Sequence, residues 1–324
     1  MKTSIFLFVS ILIVCSFFFA VSPIWAQPYP NRPIHLIIPN VAGSFQDIPA
    51  RALSEELGKI LGTQIIPINK PGAATTLGVD IVAKGKKDGY TLTYVGSSAL
   101  VYAPILNPDT VPYDPDKDLE PLGSHTMVPF AIGVHASSPW KTFNELLDYA
   151  RKNPEKLRAS SIGVGSTPHF VLEVIQSITG VKLTHVPFKG GESVITALLG
   201  GHVELTCDLI NKLRPHVESG NIRVLVTAEK ATYLPNVPTF SELGYKQELP
   251  SLRFAMYGPA GMPEDVKKNL IPAIERAVKH PDLKAKMEKM GFMVDYKSPA
   301  EFKKIISEEY QTTLDIAKKI GLRK

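Results

Sequence analysis

The 324-residue chain contains only two cysteines, Cys15 and Cys207. If an N-terminal leader carrying Cys15 is removed, one thiol remains and no intrachain disulfide can form. The fold must then rest on its apolar core, which a chain this long can build. Blocks of one charge are missing too. Lys and Arg number 36 against 31 Asp and Glu, and no arginine-rich helix or basic run occurs, so nucleic-acid binding finds no support. The eight histidines show no H-E-x-x-H or comparable ligand spacing, which leaves a metal centre without a ligand set. No Gly-Lys-Ser/Thr phosphate loop occurs. The pair Gly163 and Gly165 fails to complete a dinucleotide fingerprint because Pro168 stands where its last glycine belongs. No G-x-S-x-G elbow is present. No cofactor is expected.

Charge is also scarce at the start. After Lys2 no charged residue precedes Arg32, and Ile5 to Ala20 is almost continuously apolar. This is the layout of a secretory signal, with Ala26 as the small residue before a cut at Gln27. The alternative is an uncleaved membrane anchor, since about 20 apolar residues can span a bilayer. Val14 before Cys15 does not suit a lipid-modified cysteine. With residues 1–26 and Lys2 removed, 35 basic and 31 acidic residues leave +4, a mild balance compatible with a small anionic ligand.

What is present is alternation. Apolar runs at Ile34–Pro39, Gln64–Ile68, Tyr90–Val95, Leu157–Ile162, Lys182–Pro187, Val203–Asp208 and Ile222–Thr227 read as strands. Between them lie helical patterns, among them Ile48–Leu61 and the helix after Thr167-Pro168. The proline-rich run Pro104 to Pro121 reads as an irregular surface wrap, with the next strand at Phe130–Val134. Phe254–Tyr257 reads as a returning strand, and helices over Glu264–Lys279 and Pro299–Ile320 close the chain. Alternating β and α predicts parallel sheets covered by helices. Ligands of such sheets sit beyond the carboxyl ends of the strands.

Turns of small residues recur at five strand ends. Pro39 to Asp47 reads PNVAGSFQD, where Asp47 is expected to cap the first helix with Pro49 just inside it. The free N–H groups of Ala42, Gly43, Ser44 and Phe45 then need a partner, and an anion supplies one. Phe45 would wall the pocket. Gly165, Ser166, Thr167 and His169 form a similar turn, with Thr167 as the expected cap. Ala74, Thr75 and Ser97 occupy two more. Lys189, before Gly190, reads as an anion partner or as a solvated side chain. Asp208 reads as an acceptor for a ligand amine or hydroxyl, or as a helix cap. Any single turn reads equally as plain loop chemistry. One helix end contributes about 0.3–1 kcal/mol, whereas micromolar affinity needs about 8 kcal/mol, so several turns must converge.

Longer motifs extend the pattern. Tyr29-Pro30-Asn31-Arg32-Pro33-Ile34, Asn69-Lys70-Pro71-Gly72-Ala73, Asp88-Gly89-Tyr90-Thr91-Leu92, Val186-Pro187-Phe188-Lys189-Gly190-Gly191, Leu234-Pro235-Asn236-Val237-Pro238-Thr239 and Gly258-Pro259-Ala260-Gly261-Met262-Pro263 appear in order. With the first loop, they give nearly the whole mature chain a resemblance to the extracytoplasmic solute receptors of tripartite tricarboxylate transporters, the Bug family. The resemblance implies a type II-like, Venus-flytrap α/β binding protein with its cleft between two domains. The expected boundaries are 27–127 plus 252–324 for one domain and 128–251 for the other, with hinge strands near Met127–Ile132 and Leu252–Tyr257. It implies a periplasmic, noncatalytic, monomeric receptor that takes a small carboxylate and meets a membrane permease or a signalling protein. It points most directly to Gly43, Ser44, Asp47, Ser166, Thr167 and His169. Two departures stand out: Gly43-Ser44-Phe45 replaces paired glycines in the first loop, and Ala74-Thr75 does so in the second. The rival class is a secreted hydrolase using Ser166 and His169.

Overall fold

The computed structural model describes residues 28–188, 191–231, 233–247 and 249–323. The expected signal segment, 1–26, lies outside the described residues. In the first lobe, β1 (Ile34–Ile38) pairs in parallel with β2 (Ile65–Asn69) and β3 (Thr91–Gly96). Helix α1 (Asp47–Leu61) joins β1 to β2 and buries Leu53 and Leu57 completely. Burial of each such leucine contributes about 1.5–3 kcal/mol. The helix stops at Gly62, whose φ of 66° is a left-handed C-cap that glycine adopts without a Cβ penalty. Helix α2 (Thr76–Ala83) returns to β3, and a π-turn with α3 (Ala103–Leu106) follows it.

The chain then enters β4 (Leu119–His135), a 17-residue strand shared by both lobes. Over Leu119 to Pro129 it pairs antiparallel with β9 (Ser251–Pro259). From Phe130 onward it pairs with β7 (Leu205–Leu209) and β8 (Ile222–Thr227). Pro129 lies opposite Ser251, so the two strands run side by side where the partners change. The second lobe adds α4 (Phe143–Lys152), β5 (Arg158–Ser161), α5 (Thr167–Thr179), β6 (Thr184–Pro187), α6 (Gly191–Leu199) and α7 (Ile210–Glu218). After β9 the chain completes the first lobe with α8 (Glu264–Val278), α9 (Pro281–Lys289), β10 (Met293–Val294) and α10 (Pro299–Lys319). Ser298 and Glu301 cap α10 reciprocally. The strand order is β2-β1-β3-β9-β4-β7-β5-β6.

Most predicted elements occur within a few residues of their expected bounds. One does not: the expected surface wrap ends at Asp118, and the first half of β4 replaces its last residues. Pro121 is accommodated at a register shift between Pro121 and Gly123, as prolines in sheets require. Among the described residues no helix is long and apolar enough to cross a membrane.

Candidate functional site

The β1–α1 loop is organised by Asp47. Its Oδ2 accepts from Gly43 N–H at 2.8 Å and from Arg51 Nε at 2.8 Å, and its Oδ1 accepts from Asn69 Nδ2 at 2.8 Å. Asn69 also donates to Asn40 O, and Arg51 reaches Asn69 Oδ1. Burial alone would raise the Asp47 carboxyl, but the Arg51, Gly43 and Asn69 donors outweigh it and hold it below its ordinary value. The cap assignment changes accordingly. Asp47 is the first helical residue and Gln46 precedes it. The Ser44 hydroxyl accepts from Asp47 N–H at 3.2 Å, and Pro49 moves to the third helical position, where no intrahelical partner is lost. With its oxygens occupied, Asp47 is placed to shape the loop rather than to touch a ligand. Among the described residues, the N–H groups of Ala42, Phe45 and Gln46 find no acceptor. Gln46 is itself buried and donates from Nε2 to Tyr94 O at 2.7 Å.

The β5–α5 loop repeats this arrangement in the other lobe. Here Ser166, not Thr167, is the cap: its hydroxyl accepts from His169 N–H at 3.4 Å and donates to Gly163 O at 2.6 Å. Thr167 and Pro168 start the helix. Gly165 has a φ of 73° and donates its N–H to His169 Nδ1 at 3.2 Å. That acceptor role leaves the ring proton on Nε2, 3.6 Å from Glu173 Oε1. His169 stacks on His185 with centroids 4.2 Å apart, and His185 Nε2 shares a 2.7 Å hydrogen bond with the Ser161 hydroxyl. Burial lowers His169; burial and then the His169 ring push His185 down to about 4. Both rings are therefore neutral at neutral pH. The N–H groups of Val164 and Thr167 find no acceptor among the described residues. The hydrolase reading on Ser166 and His169 meets an obstacle, because the Ser166 hydroxyl donates to Gly163 O and shares no hydrogen bond with the His169 ring.

Each loop comes close to residues of the opposite lobe. Phe45, from the first lobe, packs on Phe254 with centroids 5.9 Å apart and lies 6.0 Å from Lys212 Nζ of α7. A Cβ on Gly165 would stand 3.7 Å from Asn107 Oδ1, across from it in the first lobe. Asp208, at the end of β7 and 3% exposed, accepts from Leu209 N–H at 2.7 Å through Oδ1. Its Oδ2 has no partner among the described residues. Burial raises its carboxyl, against the lowering effect of Lys212. Lys212 Nζ stands 3.7 Å from Asp208 Oδ1.

The remaining expected residues fall differently. Ala74 and Thr75 lie in a 3₁₀ turn, with Thr75 left-handed at φ 79° and its hydroxyl buried without a partner among the described residues. Ser97 is fully buried. Its hydroxyl meets Ser251 O at 3.4 Å and Arg253 N–H at 3.3 Å, so it ties the start of β9 to the end of β3. Lys189 and Gly190 lie outside the described residues.

The family model for the tripartite tricarboxylate transporter family receptor matches residues 49–322. The chain belongs to this family. A relative from Cupriavidus necator, the UPF0065 protein in the gbd 5' region, is 34% identical over 305 residues, covering 92% of this chain and 90% of its own. MatC from Rhodopseudomonas palustris, solved with bound malate, is 28% identical with a TM-score of 0.73, covering 89% of this chain and 99% of its own. A second R. palustris protein, solved with adipate, is 27% identical with a TM-score of 0.77, covering 90% and 98%. The receptor fold is a two-lobed α/β binding-protein fold.

Two features of this receptor escape sequence reasoning. One is Lys212, an unremarkable lysine in a polar helix whose only signal is its i,i+4 spacing from Asp208. The other is a cavity of about 550 Å³ lined by none of the expected site residues. It lies beside the strand crossing, between α5 and α10, with Phe170, Arg253, Tyr102 and Glu309 in its wall. Tyr102 Oη donates to Glu309 Oε1 at 2.7 Å, and burial pushes the Glu309 carboxyl up to about 7.

Proposed function

We propose that this receptor is a noncatalytic, periplasmic solute-binding protein that captures a small organic carboxylate between its lobes and delivers it to a membrane permease. The observation that carries this reading is the set of unaccepted backbone N–H groups, Ala42, Phe45 and Gln46 in one lobe and Val164 and Thr167 in the other. Oriented N–H donors at helix starts favour an anion, and donors from both lobes let one ligand bridge them. The carboxylates bound by the two R. palustris relatives agree with that chemistry. Gly43, Ser44, Asp47, Ser166 and His169 then act by shaping the two loops.

The lobes are proposed as 27–127 with 252–324, and 128–251. Supporting this division, β4 exchanges partners between Pro129 and Phe130 and β9 begins opposite, at Ser251. Closure by rotation about these strands is the hinge motion of periplasmic binding proteins. The apolar, nearly uncharged start of the chain supports export. The test is a thermal-shift screen of the purified protein against mono-, di- and tricarboxylates, followed by mass spectrometry of the retained ligand. A stabilising acid released unchanged is expected. Turnover of that acid, or no response to any carboxylate, overturns the reading.

A further inference from the structure

Lys212 is held by three constraints. Its ammonium stands 3.7 Å from Asp208 Oδ1 and 6.0 Å from the centre of the Phe45 ring. It also fills the space where a Cβ on Gly191, the first residue of α6, would stand. Glycine at 191 thus lets the ammonium settle against the first turn of α6. An ammonium carries three donors, and Asp208 engages it from one side only, at a distance long for a hydrogen bond. The side chain is 30% exposed, neither sealed in the core nor free in solvent. Asp208 is itself fixed by Leu209 N–H. Glu192, also in the first turn of α6, adds negative charge nearby.

We propose that Lys212 is the charged anchor of the crevice and selects dicarboxylates, taking one carboxylate while the loop N–H groups hold the other. This rests on the carboxylate reading above. Phe45 is next to Ser44 in the first loop and its ring lies beside the Lys212 ammonium, which brings the charge alongside the donors of that loop. Asp208 acts as the positioning residue. It holds the ammonium in place and does not receive a ligand donor itself.

The alternative is that Lys212 only neutralises a buried carboxylate, in which case its loss lowers stability but changes affinity for all acids alike. Matched ligands separate the two cases. Malate and 2-hydroxybutyrate share a hydroxyl, a carboxylate and a four-carbon chain, and differ in the second carboxylate. Calorimetry on the purified protein should show wild type preferring malate by about tenfold or more, the scale of a charge-assisted hydrogen bond. Lys212→Gln should remove most of that preference and leave 2-hydroxybutyrate within about twofold. Lys212→Arg should retain part of it. Gly191→Ala pushes only the flexible end of Lys212, so it should weaken malate several-fold with almost no change in melting temperature. It also provides the test if Lys212→Gln folds poorly. An unchanged malate to 2-hydroxybutyrate ratio in Gly191→Ala or Lys212→Gln, or a wild type that prefers the monocarboxylate, overturns the role of Lys212. A wild type that binds no carboxylate at all overturns the functional reading beneath it.

Discussion

Asp47→Asn isolates the role assigned to the first-loop carboxylate. Three donors, Gly43 N–H, Arg51 Nε and Asn69 Nδ2, converge on its two oxygens. Asparagine keeps the shape but offers one acceptor oxygen and one NH₂ group. At least one of the three donors then faces another donor. The Arg51 side chain is 44% exposed and can turn to water, so its share is at most about 1 kcal/mol. Gly43 N–H and Asn69 are more enclosed, and leaving one unsatisfied costs about 1–3 kcal/mol. The total is about 1–4 kcal/mol, a fall in melting temperature of roughly 2–6 °C for a chain of this length. Affinity should fall further than stability, by about tenfold or more, because the loop that presents the Ala42 and Phe45 donors loses its frame. Differential scanning calorimetry and titration with the best acid from the screen measure both. Arg51→Ala should cost only about 1 kcal/mol. The pH dependence carries a defined sign. The folded carboxyl is depressed, so its contribution is present above the unfolded pKa and is lost as pH falls through the folded value. An Asp47→Asn protein with wild-type stability and affinity would refute this account of the loop.

Thr75→Gly should raise stability by about 1–2 kcal/mol, since a β-branched residue at φ 79° pays a left-handed penalty that glycine avoids; a lower melting temperature would show that the buried hydroxyl matters more than the strain. Glu309→Gln should stabilise the protein at pH 8 by about 1–3 kcal/mol and leave it unchanged at pH 4. The sign follows because a carboxyl raised to about 7 costs stability as pH rises from its unfolded value through the folded one. Melting curves across that range check it, and a gain at acid pH would contradict it.

The alternation of strands and helices was legible because buried parallel strands are apolar runs and their helices carry periodic faces. The positions of the loops followed from glycine, serine and proline chemistry at helix starts. Capping was off by one residue in α5, because Ser166 and Thr167 are both good caps and only tertiary contacts choose between them. In α1 the Asp47 carboxylate turns back to Gly43 N–H while its own N–H goes to the Ser44 hydroxyl, and these contacts move the helix start one residue earlier than the proline argument placed it. The first half of β4, LEPLGSHTMVPF, carries two prolines and several polar residues, and its burial comes from β9, more than a hundred residues away. No local pattern encodes that. Ser97 looked like a loop donor because sequence cannot show that β9 covers it. Lys212 was invisible for the same reason: its meaning depends on Gly191 and Phe45, which meet it only in the folded chain.

The placement of β9 between β3 and β4 has a consequence for biogenesis. β3 and the first half of β4 are synthesised early but have no direct contact with each other in the sheet, and the strand that joins them arrives only after the entire second lobe. A ribosome must therefore release almost the whole polypeptide before the first lobe can close its sheet. Delayed completion of this kind leaves the first lobe's sheet open until the last stage of synthesis.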